Sequence, residues 1–146
     1  MKIVAHNRRA RFDYEILEII EAGMILTGPE VKSCRAGHMS LAGAYVLVQN
    51  GKVILRNAKV SPYRYAAKSD VYESGREREL LLSRLERERI ATATDQKGMT
   101  IVPLEVRAGK YIKILLGLGR GKKKFDKRSS IKKRDMERKL REGKEW

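Results

Sequence analysis

Apolar positions group into three stretches that each fold back on themselves. In YVLVQNGKVILRNAKV, residues 45–60, two β-branched runs flank Asn50-Gly51. That pair accepts the positive φ angles of a tight type I′ turn, so the stretch predicts a hairpin. In DYEILEIIEAGMILTG, residues 13–28, Tyr14 and Ile16 alternate with Asp13 and Glu15, ahead of an expected turn at Ala22-Gly23 into Met24, Ile25 and Leu26. In TIVPLEVRAGKYIKILLG, residues 100–117, two further strands meet at Ala108-Gly109. Pro103 has no amide hydrogen to donate, which marks an edge or an irregular position. The pattern predicts six strands in three antiparallel pairs.

Helical signals lie between them. TGPEVKSCRAG, residues 27–37, puts Pro29 at the first helical position, Glu30 beside the positive end of the helix and Gly37 where a left-handed C-terminal cap is wanted. Val31 and Cys34, three apart, face the core. A second helix is expected from Ser74 and Glu77 as a capping box, with Leu81, Leu82, Leu85 and Ile90 as its buried stripe. Its Arg76, Arg78, Arg84, Arg87 and Arg89 alternate with Glu77, Glu79, Glu86 and Glu88, the pattern of a solvated, salt-bridged face.

Six short antiparallel strands need an arrangement without long open edges, so the fold class is mainly β. The expected architecture is a six-stranded antiparallel barrel of the oligonucleotide-binding type, closed or partly closed, with two or three flanking helices and a basic C-terminal tail. Residues 1–121 form the barrel domain and 122–146 the tail. A barrel of this kind carries many functions, so the fold by itself does not establish RNA binding.

Charge narrows the choice of partner. The 146-residue chain has a formal net charge of +15, and a polyanion is the natural partner, either nucleic acid or an anionic membrane surface. Residues 119–146 hold 13 basic and five acidic side chains, more than half of the excess. Their apolar residues thin to Phe125, Ile131, Met136, Leu140 and Trp146, too sparse for a core stripe or for a membrane-surface helix. Alone, the tail is expected to be disordered or only fleetingly helical, because it buries too little surface to offset its ordering entropy. From Lys122 to Glu142 it contains no helix breaker, and its Lys, Arg, Glu, Met and Leu are good helix formers. Such a segment is suited to folding against RNA; the plainer alternative is a solubilising tail.

Catalytic and metal chemistry find little support. His6, Cys34 and His38 share no compact ligand spacing, and a four-ligand zinc site cannot be assembled from them. Cys34 with His38 as base would straddle a helix end, and burial of Cys34 on the inner helix face is the favoured reading. The GLGRG run at 117–121 lacks the Gly-Lys-Ser/Thr ending of a nucleotide-hydrolysing loop. One cysteine and no stretch of roughly 18 apolar residues suit a reducing, cytosolic compartment without membrane insertion. Tyr63 and Tyr65, interleaved with Arg64 and Lys68, can either stack on bases or pack at a strand end. Asn7, Arg8, Arg9 and Arg11 cluster directly before the first expected strand.

Taken together, NRRARFDYEI, GPEVKSCRAGHMSL, RELLL and GRGKKKFDKR followed by IKKRD, in that order and spacing, resemble the SsrA-binding protein (small protein B) family over essentially the entire chain. The resemblance implies an oligonucleotide-binding barrel that binds the tRNA-like domain of transfer-messenger RNA and accompanies it into stalled ribosomes during trans-translation. It implies a basic tail that enters the vacant message channel near the decoding centre and becomes helical there. It also implies no covalent chemistry and no cofactor. It implies further that alanyl-tRNA synthetase charges the RNA and elongation factor Tu delivers it, both meeting the protein only through the RNA.

Carried over by motif, the RNA-binding residues are Asn7, Arg8 and Arg9 with Glu30, Lys32 and Arg35, of which Arg8, Arg9, Lys32 and Arg35 are expected to form one positive surface. The ribosome-binding tail is Gly121, Lys123, Lys124, Phe125, Asp126, Lys127, Arg128, Ile131, Lys132 and Arg134. Phe125 stands where the family often has histidine or tyrosine. A ribosomal or translation-initiation barrel protein that binds ribosomal RNA directly is the nearest rival reading, and an RNA-processing enzyme a more distant one.

Overall fold

The computed structural model describes residues 2–62 and 73–122. In chain order these hold β1 (Lys2–His6), α1 (Ala10–Asp13), β2 (Tyr14–Met24), α2 (Gly28–Arg35), β3 (Met39–Ser40), β4 (Tyr45–Gln49), β5 (Lys52–Arg56), β6 (Lys59–Val60), β7 (Arg78–Leu81), α3 (Arg84–Thr94), β8 (Met99–Ala108) and β9 (Ile112–Gly121). Seven strands form one sheet in the order β1-β8-β9-β2-β7-β5-β4, and β3 and β6 make a separate ribbon. Every pairing is antiparallel. The sheet curls until β4, at one edge, lies against β8, while β1, at the other, lies beside β3. The result is a partly closed barrel whose interior holds Val53, Leu55, Val60, Val106, Ile114 and Leu116, each at most 1% exposed. Among the described residues no helix is long and apolar enough to cross a membrane.

Strong local signals form as expected. Asn50 and Gly51 adopt φ of 52° and 76° at the tip of the β4–β5 hairpin, the left-handed pair that a type I′ turn requires. Gly37, at φ 82°, follows the last turn of α2. At the other end of α2, Thr27 and Glu30 form a reciprocal capping box, and Pro29 sits in the first turn, where a missing amide hydrogen costs nothing. Pro103 is irregular but not at an edge: β8 runs between β1 and β9, and its register against β9 shifts between Pro103 and Glu105, while that against β1 shifts between Ile3 and Ala5. Cys34 is fully buried, and burial pushes its thiol up to about 11.

Four expectations are corrected. The described residues hold nine strands rather than six, because β1, β3, β6 and β7 are short segments with little periodicity of their own. Residues 14–24 make one continuous strand instead of a hairpin. Ala22 pairs with Ile114 and is 1% exposed, and Gly23 pairs on one side with Lys113 and on the other with Leu81. A Cβ at Gly23 would sit 3.3 Å from the Leu81 Cβ, so this glycine admits a neighbouring strand and makes no turn.

The second helix begins at Arg84, not after Ser74, with Ser83 and Glu86 as its capping box. Residues 78–81 are a strand of period two: Arg78 and Leu80 point in at 0% and 3% exposure, and Leu81 points out at 57%. Leu85 is also exposed; of the expected stripe, Ile90 is fully buried and Leu82 partly so. The GLGRG run lies within β9, where a Cβ on Gly119 would come within 2.2 Å of the Glu15 carbonyl oxygen. These glycines let β9 press against β2.

Candidate nucleic-acid interface

The expected RNA-binding residues fall into two clusters. Asn7, Arg8 and Arg9 lie together between β1 and α1 and line a cavity of about 800 Å³ with residues of the 39–46 segment and of β8. Asn7 is fixed by its backbone amide, which donates to the Leu104 carbonyl at 2.8 Å, and by its side-chain nitrogen, which donates to the Pro103 carbonyl at 2.8 Å. Both carbonyls belong to β8 residues just past the end of its pairing with β1. Arg9 lies over the Phe12 ring, 4.9 Å from its centroid, and bridges to Asp13 at 3.3 Å, with most of its side chain still in solvent. Arg8 is exposed.

Lys32 and Arg35 belong to α2 and are exposed. Arg35 donates to the Lys110 carbonyl at 3.1 Å, in the turn between β8 and β9. The two clusters therefore stand apart along the β8 hairpin, one beside Leu104 in the middle of the strand and the other beside Lys110 in the turn that follows it. The cavities against which they lie share no lining residue.

Glu30 is the third element of α2, and it is not on a surface. Only 1% of its side chain is exposed. It accepts from the Thr27 amide at 3.0 Å, from Arg76, and from Arg78 at 2.5 and 3.2 Å. Arg78 is itself fully buried, and its remaining donors go to the carbonyls of Ala58 at 2.9 Å, Arg76 at 3.0 Å and Ser74 at 2.9 Å. Burial alone would raise the Glu30 carboxyl, but the bonds from Arg76, Thr27 and Arg78 outweigh it and hold its pKa at about 2, below the ordinary 4.5. The cluster bolts α2 to the β5–β6 connection and to the start of β7. Sequence reasoning places Arg76 and Arg78 on a solvated helix face; that expectation is overturned for these two and holds for Arg84, which bridges to Glu88 at 3.1 Å along α3.

Gly121 closes β9 opposite Tyr14. The next residue, Lys122, donates through its amide to the Asp13 carbonyl at 2.8 Å and through its ammonium to the Arg11 carbonyl at 2.8 Å. Lys122, the last described residue, therefore lies beside α1. Lys123, Lys124, Phe125, Asp126, Lys127, Arg128, Ile131, Lys132 and Arg134 lie outside the described residues, as do Tyr63, Arg64, Tyr65 and Lys68.

A barrel with two separate clusters of exposed cations suits a polyanion, and comparison with known proteins decides which lineage built it. The family described as SmpB protein matches residues 4–145. The chain belongs to the SmpB protein family. It is 46% identical to the SsrA-binding protein of Acaryochloris marina, over 99% of this chain and 97% of that one. It is likewise 46% identical to the SsrA-binding protein of Coprothermobacter proteolyticus, over 99% of this chain and 98% of the other. Among solved structures it is similar to a chain described under "tmRNA-SmpB: a journey to the center of the bacterial ribosome", with 45% identity, a TM-score of 0.66, and coverage of 82% of this chain and 84% of that one. The resemblance read from the ordered motifs is thus borne out over nearly the whole length.

Within this SmpB-family chain, the motif GPEVKSCRAG supplies residues of two kinds. Lys32 and Arg35 are displayed, whereas Glu30 is buried and holds the helix that displays them. The motif alone does not separate these roles. The separation comes from Arg78, 48 residues away in sequence.

Proposed function

We infer that this protein binds SsrA RNA, the transfer-messenger RNA, through its tRNA-like domain and brings it to stalled ribosomes in trans-translation. The observation that carries the reading is membership of the SmpB protein family over residues 4–145, among relatives that are SsrA-binding proteins. The net charge of +15 supports it, since phosphate contacts dominate affinity for RNA.

In this reading residues 1–121 recognise the RNA, using Asn7, Arg8 and Arg9 in one cluster and Lys32 and Arg35 in the other, while Glu30 positions α2. Residues 122–146 are the ribosome-binding tail, directed to the decoding centre and message channel. The protein works by binding, in the cytoplasm, and performs no covalent step. Alanyl-tRNA synthetase and elongation factor Tu act on the shared RNA and meet the protein only through it.

The test is a gel-shift series with transfer-messenger RNA, bulk tRNA and ribosomal RNA. Transfer-messenger RNA should be bound at the lowest protein concentration and resist competition by bulk tRNA. Tighter binding to ribosomal RNA would support the rival ribosomal-protein reading instead.

A further inference from the structure

The turn between β8 and β9 carries a group that the two basic clusters leave unexplained. Tyr111 stands 63% exposed beside β9. The ammonium groups of Lys110 and Lys113 lie 5.7 and 6.0 Å from its ring centroid. Glu21, on β2, lies 4.0 Å from the Lys113 ammonium. The bond from Arg35 to the Lys110 carbonyl ties this turn to α2.

Beside the ring opens a cavity of about 390 Å³. Met24, Leu26, Val31 and Leu81 supply its apolar wall, and Arg35, Lys110 and Lys113 its cations. Its volume falls in the range of small-ligand sites, about 300–1,000 Å³. Leu81 is left 57% exposed there, an apolar surface that none of the described residues covers.

An exposed aromatic face, an apolar wall and cations on the rim match the needs of a single-stranded nucleotide. The base stacks on the ring, the wall receives its other faces, and the cations neutralise the phosphates on either side. A continuous duplex has no base free to enter, and a membrane surface wants a longer apolar ridge. We propose that the cavity beside Tyr111 receives one unpaired nucleobase of the bound RNA, with Tyr111 as the stacking platform and Arg35, Lys110 and Lys113 on the flanking phosphates. The proposal rests on the RNA-binding reading above and deepens it by naming what is recognised at the α2 end: a flipped-out base rather than backbone charge alone.

The experiment uses the full chain and two probes, the tRNA-like domain of transfer-messenger RNA and a fully paired RNA duplex of similar length. Tyr111→Ala should weaken binding of the tRNA-like domain about 5- to 150-fold, the range for loss of one base–aromatic stack. Tyr111→Phe, which keeps the ring, should bind within about twofold of the wild type, and duplex affinity should be unchanged in both variants. Unchanged affinity of Tyr111→Ala for the tRNA-like domain, or equal weakening on both probes, would overturn the proposal. Failure of the wild-type protein to bind the tRNA-like domain would overturn the functional reading as well, and it would be seen before any substitution is made.

Discussion

Arg78 and Glu30 meet at 2.5 Å with 0% and 1% of their side chains exposed. All five guanidinium donors of Arg78 are used, two on the Glu30 carboxylate and three on backbone carbonyls. A buried pair this fully satisfied is far more costly to break than to keep, because losing Arg78 leaves Arg76 as the one ion-pair partner of the Glu30 carboxylate among the described residues and strips three backbone carbonyls of their donor. Arg78→Ala should therefore lose about 3–5 kcal/mol of stability in urea denaturation. Arg78→Lys, which keeps the charge but not the planar fork, should lose most of that. A loss below about 1 kcal/mol, the size of a surface pair, would contradict the geometry.

The same cluster sets an acid limit. The folded-state pKa of Glu30 is about 2, against an ordinary 4.5, so its folded pKa is depressed. A depressed acid contributes stability that is present above the unfolded pKa and is lost as pH falls through the folded one. The window is therefore about pH 5 down to pH 2, and the contribution is about 3 kcal/mol from the size of the shift. Denaturation curves between pH 7 and pH 2 should show wild type losing more stability on acidification than Glu30→Gln, which is less stable at neutrality but has no carboxylate to protonate there. Parallel curves would contradict this role.

Gly119 offers a test of strand packing. An added Cβ would approach the Glu15 carbonyl oxygen to 2.2 Å, and backbone cannot move aside as a flexible side chain can. Gly119→Ala should destabilise by about 1–3 kcal/mol, the usual cost of overpacking. A thermal midpoint equal to wild type would show that β2 and β9 are more loosely joined than their register indicates.

The parts of the fold legible in the sequence are those determined within a few residues. Asn50-Gly51 fixes its own turn, and Pro29, Glu30 and Gly37 mark the ends of α2, because capping and left-handed φ are local requirements. The misread segments answer to distant partners. Gly23 reads as a turn residue, yet it is there to admit Leu81 from β7. Arg78 reads as one charge among many on an amphipathic helix, and only the fold brings it to Glu30, Ala58 and Ser74. Two alternating residues, Arg78 and Leu80, carry the strand signal, but the run of charge around them masks it. For the site, the basic residues are readable as a set from the motifs. Their division between mid-β8 and the β8–β9 turn is not, because it depends on register.

That division makes a prediction about salt. If both clusters bind phosphate, Arg8→Glu with Arg9→Glu, and separately Lys32→Glu with Arg35→Glu, should each weaken binding of the tRNA-like domain. Each should also flatten the dependence of log affinity on log salt, by about one for every phosphate that is no longer neutralised. The two pairs are far enough apart for their effects to add. Unaltered affinity and salt slope in either double variant would remove that cluster from the interface.

One chain is proposed both to recognise transfer-messenger RNA and to license its use on the ribosome, with the two tasks divided near Lys122. The most direct measurement is peptide transfer to alanyl transfer-messenger RNA on stalled ribosomes, comparing the full chain with a chain ending at Lys122, each with its RNA affinity measured alongside. The full chain should support tagging, and the shortened one should bind the RNA nearly as well yet fail to tag. Tagging at the full rate without residues 123–146, or no tagging by the full chain, would contradict the account.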